Sequence, residues 1–125
     1  MYWVVQVTII GNNMYYKTFN VKLDNPTVAI ALANIETEIN LCRMEGIRVL
    51  KIIHGYGSHG TGGEIKRALA PWLKLNKRKH FITDYISGET FPTSPRAKTF
   101  KDICPDIIGD TELYYANPGV TIILL

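Results

Sequence analysis

The spacing of apolar residues along the 125-residue chain changes period several times, and each change predicts an element. Residues 2–10 and 14–23 read as two strands, because in the second Phe19, Val21 and Leu23 alternate with Thr18, Asn20 and Lys22. Gly11, Asn12 and Asn13 between them are turn residues and join the two as a hairpin. From Val28 the period lengthens. Val28, Ala31, Leu32, Ile35, Ile39 and Cys42 recur at three and four residues, which places them on one face of a helix that ends at Gly46. Asn25 and Pro26 ahead of it read as cap and first helical position.

Arg48 to Ile53 is the next strand, and it stops at His54. Gly55, Gly57, Gly60, Gly62 and Gly63 then remove five side chains from one short loop, after which Glu64 to Leu69 has good helix propensity. Pro71 is expected to interrupt this helix, with Trp72 and Leu73 beyond a kink. Phe81 to Ile86 reads as a strand. Residues 87–111, with Gly88, Pro92, Pro95, Pro105 and Gly109, read as a long insertion holding a short helix over 97–103. Val120 to Leu125 is continuously apolar and is expected to be a central strand. Strands alternating with helices imply an α/β class with a mixed sheet, and the length suits a single domain over 1–125.

Composition places the chain among ordinary globular domains, with 46% hydrophobic and 20% charged residues. No run approaches the roughly 18 apolar residues of a membrane span, and the first ten residues lack a basic leader region, so a cytoplasmic protein with no membrane partner is expected. Cys42 and Cys104 are too few for a disulfide framework or a Cys-rich zinc site and are expected to be free thiols. Charge changes the picture more. Residues 46–101 carry eleven Lys and Arg against three acids, a net +8, whereas residues 102–125 carry four acids and no base. The glycine loop lies inside the basic segment, as a polyanion-binding protein would need.

Three chemistries compete for the loop. A nucleotide-hydrolase phosphate loop needs a lysine after its last glycine, and Thr61 stands there, which rejects it. The dinucleotide spacing G-x-G-x-x-G is present as Gly55, Gly57 and Gly60, with Asp84 downstream, but it follows a hairpin and a helix rather than opening the chain. That leaves a small nucleotide or dinucleotide binder as the minor alternative. The third is a nucleic-acid phosphate site, with backbone N–H groups, His54, Lys66 and Arg67 converging on a phosphodiester. His54 has the titration range for moving a proton there, and a structural hydrogen bond closing the strand is the competing role. His59 reads as an exposed loop residue, since a His54/His59 metal pair has no nearby carboxylate or thiolate.

Ile53-His54-Gly55-x-Gly57, the run into Ile65-Lys66-Arg67-Ala68-Leu69 and the closing Asn117-Pro118-Gly119-Val120-Thr121-Ile122-Ile123 resemble the small MutS-related, or Smr, domain. The resemblance spans about residues 19–125, with 1–18 an N-terminal hairpin extension. It implies a two-layer α/β sandwich with a mixed sheet, similar to the C-terminal domain of bacterial translation initiation factor three. It also implies nucleic-acid (DNA or RNA) binding, often with endonuclease activity, through the loop residues Gly55, Tyr56, Gly57 and His59 with Lys66 and Arg67. Nuclease members commonly carry L-D-x-H before the first helix. Here that stretch reads Val21-Lys22-Leu23-Asp24, so the aspartate falls on Lys22 and the histidine on Asp24. Tyr56 stands where a lysine is frequent and offers a ring for stacking on an unpaired base. His54 and Asp24 are therefore the catalytic candidates. Asp24 has two readings, a carboxylate holding a divalent metal or water, or a helper of the helix cap; a non-catalytic binding module is the alternative to the nuclease.

Overall fold

A computed structural model describes residues 15–56 and 62–125. The expected strand at 2–10 and its turn lie outside the described residues, as do Gly57, His59, Gly60 and Thr61. Four strands form: β1 (Tyr16–Asn20), β2 (Val49–Ile53), β3 (Asp84–Ser87) and β4 (Val120–Leu124). β1 runs parallel to β2 with Asn20 opposite Ile53, and β4 runs antiparallel to both β2 and β3. The order β1-β2-β4-β3 makes a mixed sheet. Every residue of β4 is buried, as its unbroken apolar run requires of a central strand.

The two faces of the sheet are covered by different parts of the chain. Leu50, Ile52 and Ile123 point to one face, where they meet Ala31, Ile35, Ile39 and Cys42 of α1 (Val28–Glu45) and Ile65, Leu69 and Leu73 of α2 (Gly62–Arg78). The apolar stripe read from the sequence is thus the buried face of α1. On the other face, Val49, Val120, Ile122 and Leu124 pack against Phe91, Phe100, Cys104, Ile107 and Leu113. These come from α3 (Ala97–Ile103) and from 3₁₀ turns at Phe91–Thr93, Pro105–Gly109 and Thr111–Leu113. The stretch expected as an insertion is therefore the covering of a sheet face, pinned by an edge-to-face pair of Phe91 and Phe100 with ring centroids 6.1 Å apart.

Three local expectations are corrected. Asn25 does not cap α1: Asp24 and Asn25 both have left-handed backbones, with φ of 64° and 49°, and Thr27 Oγ1 accepts from the Ile30 amide at 3.3 Å instead. Asp24 accordingly lies in the turn ahead of the helix and outside the cap. Pro71 does not interrupt α2, which runs unbroken to Arg78. Pro71 and Arg67 are both exposed, so the carbonyl that loses its intrahelical donor lies on the solvent side and can be hydrated. The strand expected from Phe81 begins at Asp84, because the chain leaves α2 through His80 with φ 62° and uses Ile82 as a core anchor.

Lys51 is the surprise within β2. It alternates with Leu50 and Ile52, is 3% exposed, and faces the second layer, where its Nζ lies 2.6 Å from Asp110 Oδ2 and 2.5 Å from Glu112 Oε1. Tyr16 OH donates to the same Asp110 oxygen at 2.5 Å. The acidic tail thus answers part of the basic segment through the core's edge. Despite its burial, the carboxyl of Asp110 is held below the usual carboxylate range by Lys51 and Tyr16. Cys42 and Cys104 are buried free thiols whose pKa values rise through burial, that of Cys42 to about 12. Among the described residues no helix is long and apolar enough to cross a membrane.

Candidate nucleic-acid interface

The site is built where β2 runs out. The His54 and Gly55 amides both donate to the Gly119 carbonyl at 3.0 Å, so the loop after β2 is bonded to the turn that leads into β4. Gly55 takes φ 70°, a backbone that glycine adopts without strain. On the facing turn, Asn117 Oδ1 accepts from the Gly119 amide at 2.9 Å, an Asx turn that sets the carbonyl toward the loop. A Cβ on Gly119 would stand 3.4 Å from Tyr56 Cδ1 and 3.5 Å from Gly55 Cα. Behind it, the Asn117 amide donates to the Gly88 carbonyl at 3.2 Å and the Gly88 amide to the Val120 carbonyl at 2.9 Å. A Cβ on Gly88 would fall 2.3 Å from the Asn117 oxygen, so the backbones touch there. The two motifs read separately in the sequence, His54-Gly55 and Asn117-Pro118-Gly119, are thus one structural unit.

His54 is fully buried. Its Nδ1 lies 2.5 Å from the Gly55 carbonyl oxygen, which can only accept, so Nδ1 carries the proton. Nε2 is then the acceptor in a neutral ring, and Thr121 Oγ1 donates to it at 2.9 Å. Burial lowers the His54 pKa below the ordinary histidine value, and the charge of Lys66 lowers it further. At neutral pH the ring is therefore an uncharged brace with both nitrogens engaged. This is the strand-closing hydrogen bond weighed against proton transfer in the sequence.

Around this brace the other candidates separate. The Tyr56 ring is 60% exposed beside the turn, available for stacking. Lys66 is half-buried and ion-paired with Glu89; together with Leu69, Tyr85, Ser87 and Thr121 it lines a cavity of about 100 Å³ under α2. Arg67, its neighbour, is exposed on the outer side of the helix. Asp24 is exposed in the turn after β1; the Val21 amide donates to the Ile53 carbonyl at 3.0 Å, which brings the start of that turn to the same sheet end as His54. Gly57 and His59 lie outside the described residues. Among the described residues no three His, Cys, Asp or Glu side chains converge as a metal-ligand set. Sequence reasoning overlooked Thr121 and Glu89. Thr121 left a trace as the one polar residue in the run Val120–Leu124, whereas the partnership of Glu89 with Lys66 is set only by the fold.

A protein-family model for the Smr domain matches residues 22–89, just over half of the chain. The chain belongs to the Smr domain family. The match starts at Lys22, ahead of α1, and runs through β2, α2 and β3 to Glu89, so it contains the His54 loop and the Lys66–Glu89 pair. The crystal structure of the Smr domain of Thermus thermophilus MutS2 superposes with a TM-score of 0.51 at 19% identity, covering 89% of this chain and 96% of that one. This likeness is one of fold and extends over more of the chain than the family match. Comparison with curated proteins gives no match. Smr domains are in general associated with nucleic-acid binding and with nucleases.

Proposed function

We propose that this Smr domain binds DNA or RNA at the end of β2, with Gly55 and Tyr56 meeting the strand and Lys66 and Arg67 supplying positive charge from the first turns of α2. The observation that carries the reading is the doubly bonded contact between the His54-Gly55 amides and the Gly119 carbonyl. It fixes the backbone at His54 and Gly55 while leaving the next side chain, Tyr56, exposed for stacking. Gly57 and His59 continue the same loop and belong to the proposed surface. His54 serves this site from beneath, as a positioning residue.

Phosphodiester cleavage is the second reading. The observation in its favour is the His54 tautomer: Nδ1–H is held by a backbone carbonyl and Nε2 is left as a base, the orientation a general base needs. Against it, Nε2 is already occupied by Thr121, and the partner position holds an exposed Asp24 in place of the family's histidine. Among the described residues Asp24 is not part of any group of three His, Cys, Asp or Glu side chains that could hold a divalent metal.

The test pairs binding with cleavage. Affinity for labelled single-stranded RNA and duplex DNA should fall as salt rises, and should weaken in a Lys66→Ala/Arg67→Ala variant. Binding indifferent to both overturns the proposal. Incubation of supercoiled plasmid and RNA with wild type, His54→Ala and the milder His54→Gln, each checked for folding by circular dichroism, separates the two readings: cleavage lost in a folded variant supports the nuclease, equal cleavage by all points to another site, and no cleavage by any favours the binding module.

A further inference from the structure

We infer that the nucleic-acid surface does not stop at the loop but continues along the outer face of α2 through Arg67, Lys74 and Arg78, a row that holds the phosphates of about five consecutive nucleotides. The inference rests on the nucleic-acid reading of the loop and extends it from Arg67 to Lys74 and Arg78, which the motifs do not reach.

The row follows from helix geometry. Successive residues turn by about 100°, so Arg67, Pro71, Lys74 and Arg78 fall within an arc of about 60°. All four are exposed, and the arc lies opposite Ile65, Leu69 and Leu73, which are buried against the sheet. At about 1.5 Å per residue the cations are spaced by roughly 10 Å and 6 Å, a row of about 16 Å. A nucleic-acid strand in a duplex advances about 3.4 Å per phosphate, so the row spans about five.

Among the described residues ion pairing leaves this row free, as it does Arg48, Lys79 and Lys101, and what sets the row apart is its alignment on one helix face. Lys66 pairs with Glu89, Lys77 and Arg96 share Asp84, Lys98 pairs with Asp102, and Lys51 is buried with Asp110 and Glu112. Five of the eleven basic residues of the segment are thus paired with acids the fold brings to them, Lys66 in a pair that is itself partly exposed. Arg67, Lys74 and Arg78 have no ion pair among the described residues. The one acid on α2, Glu64, sits a turn before Arg67 and rotated by about 60° from it. Between the cations, Ala70 and Pro71 have short side chains, so a sugar-phosphate backbone can lie close to the helix. Lys66, one residue before Arg67, lines the same cavity as Thr121, the partner of His54, and this places the start of the row beside the proposed site.

The test uses the full chain and fluorescence anisotropy with labelled probes of about 20 nucleotides, single-stranded RNA and duplex DNA, between about 50 and 200 mM salt. Lys74→Gln/Arg78→Gln should bind more weakly and reduce the log–log salt slope by about 1.8 on duplex or about 1.4 on a single strand. Arg48→Gln/Lys79→Gln removes two exposed and equally unpaired charges off the row and should leave the slope near wild type. Lys74→Arg/Arg78→Lys should restore it. Equal loss in the two Gln doubles, or none in either, overturns the row. If Tyr56→Ala weakens binding while Lys74→Gln/Arg78→Gln matches wild type, the loop reading stands and the row falls. Absence of binding by wild type removes both. Binding to phosphatidylserine vesicles without binding to either nucleic acid assigns the row to a membrane surface and overturns the inference.

Discussion

Thr121→Val tests the brace directly. The substitution keeps the volume and branching of the side chain and removes only the hydroxyl that donates to His54 Nε2 at 2.9 Å. His54 is fully buried and Thr121 is 7% exposed, so water cannot readily replace the lost donor. A buried acceptor left without its partner costs about 1–3 kcal/mol, and the conserved shape adds no cavity. For a domain of this size, about 4 °C of Tm accompanies each kcal/mol, giving a fall of about 4–12 °C. Denaturant unfolding at pH 7.5 measures the free energy, with the m-value expected to stay constant. A double cycle with His54→Gln should show coupling, since the two residues share one bond. A Thr121→Val protein within about 0.3 kcal/mol of wild type, or strict additivity in the cycle, would refute the argument that His54 is held through this hydroxyl.

The remaining predictions use the same framework. Gly88→Ala should unfold the domain or cost more than about 3 kcal/mol, because its Cβ would meet the Asn117 backbone at 2.3 Å and neither strand end can yield cheaply; solubility and Tm report it. Lys51→Met should cost about 1–3 kcal/mol, below the range for a fully buried pair because Glu112 is 47% exposed, and Lys51→Met/Asp110→Asn should recover part of it in denaturant unfolding. Stability should also depend on acid in two steps. The folded pKa of His54 is depressed, so its contribution is complete above about 6.5 and is lost as pH falls from there through the folded value, a limb that His54→Gln should flatten. Asp84 and Asp110 are depressed too, so their contribution is lost below about 4, and Asp110→Asn should diminish that lower limb.

Much of the fold was legible because local pattern and tertiary packing agree. The three- and four-residue spacing over Ala31 to Cys42 is the face that α1 buries, and the unbroken apolar run at Val120–Leu124 is a central strand. Even the short helix at Ala97–Ile103 falls where its composition put it. What escaped was set by contacts distant in sequence. Nothing local tells that Lys51 will meet acids some sixty residues away, or that a Pro- and Gly-rich stretch will tile a sheet face with Phe91, Phe100 and Ile107. Thr27 wins the cap over Asn25 through backbone conformation that composition does not report. At the site, His54 and its loop were legible as a motif, but the choice between brace and base depends on Thr121 and the Gly55 carbonyl, which only the fold brings together.

With Gly55 bonded to Gly119, Tyr56 is the exposed ring proposed to meet an unpaired strand of nucleic acid. The most direct measurement of this contact is the affinity of wild type and Tyr56→Ala for a labelled single-stranded RNA across a salt series. Wild type should bind in a salt-dependent way and the variant should lose about 1–3 kcal/mol, roughly 5- to 150-fold, with the folded state unchanged because Tyr56 is 60% exposed. Equal affinity of the two proteins at every salt concentration, or no binding by either, would contradict the proposed contact.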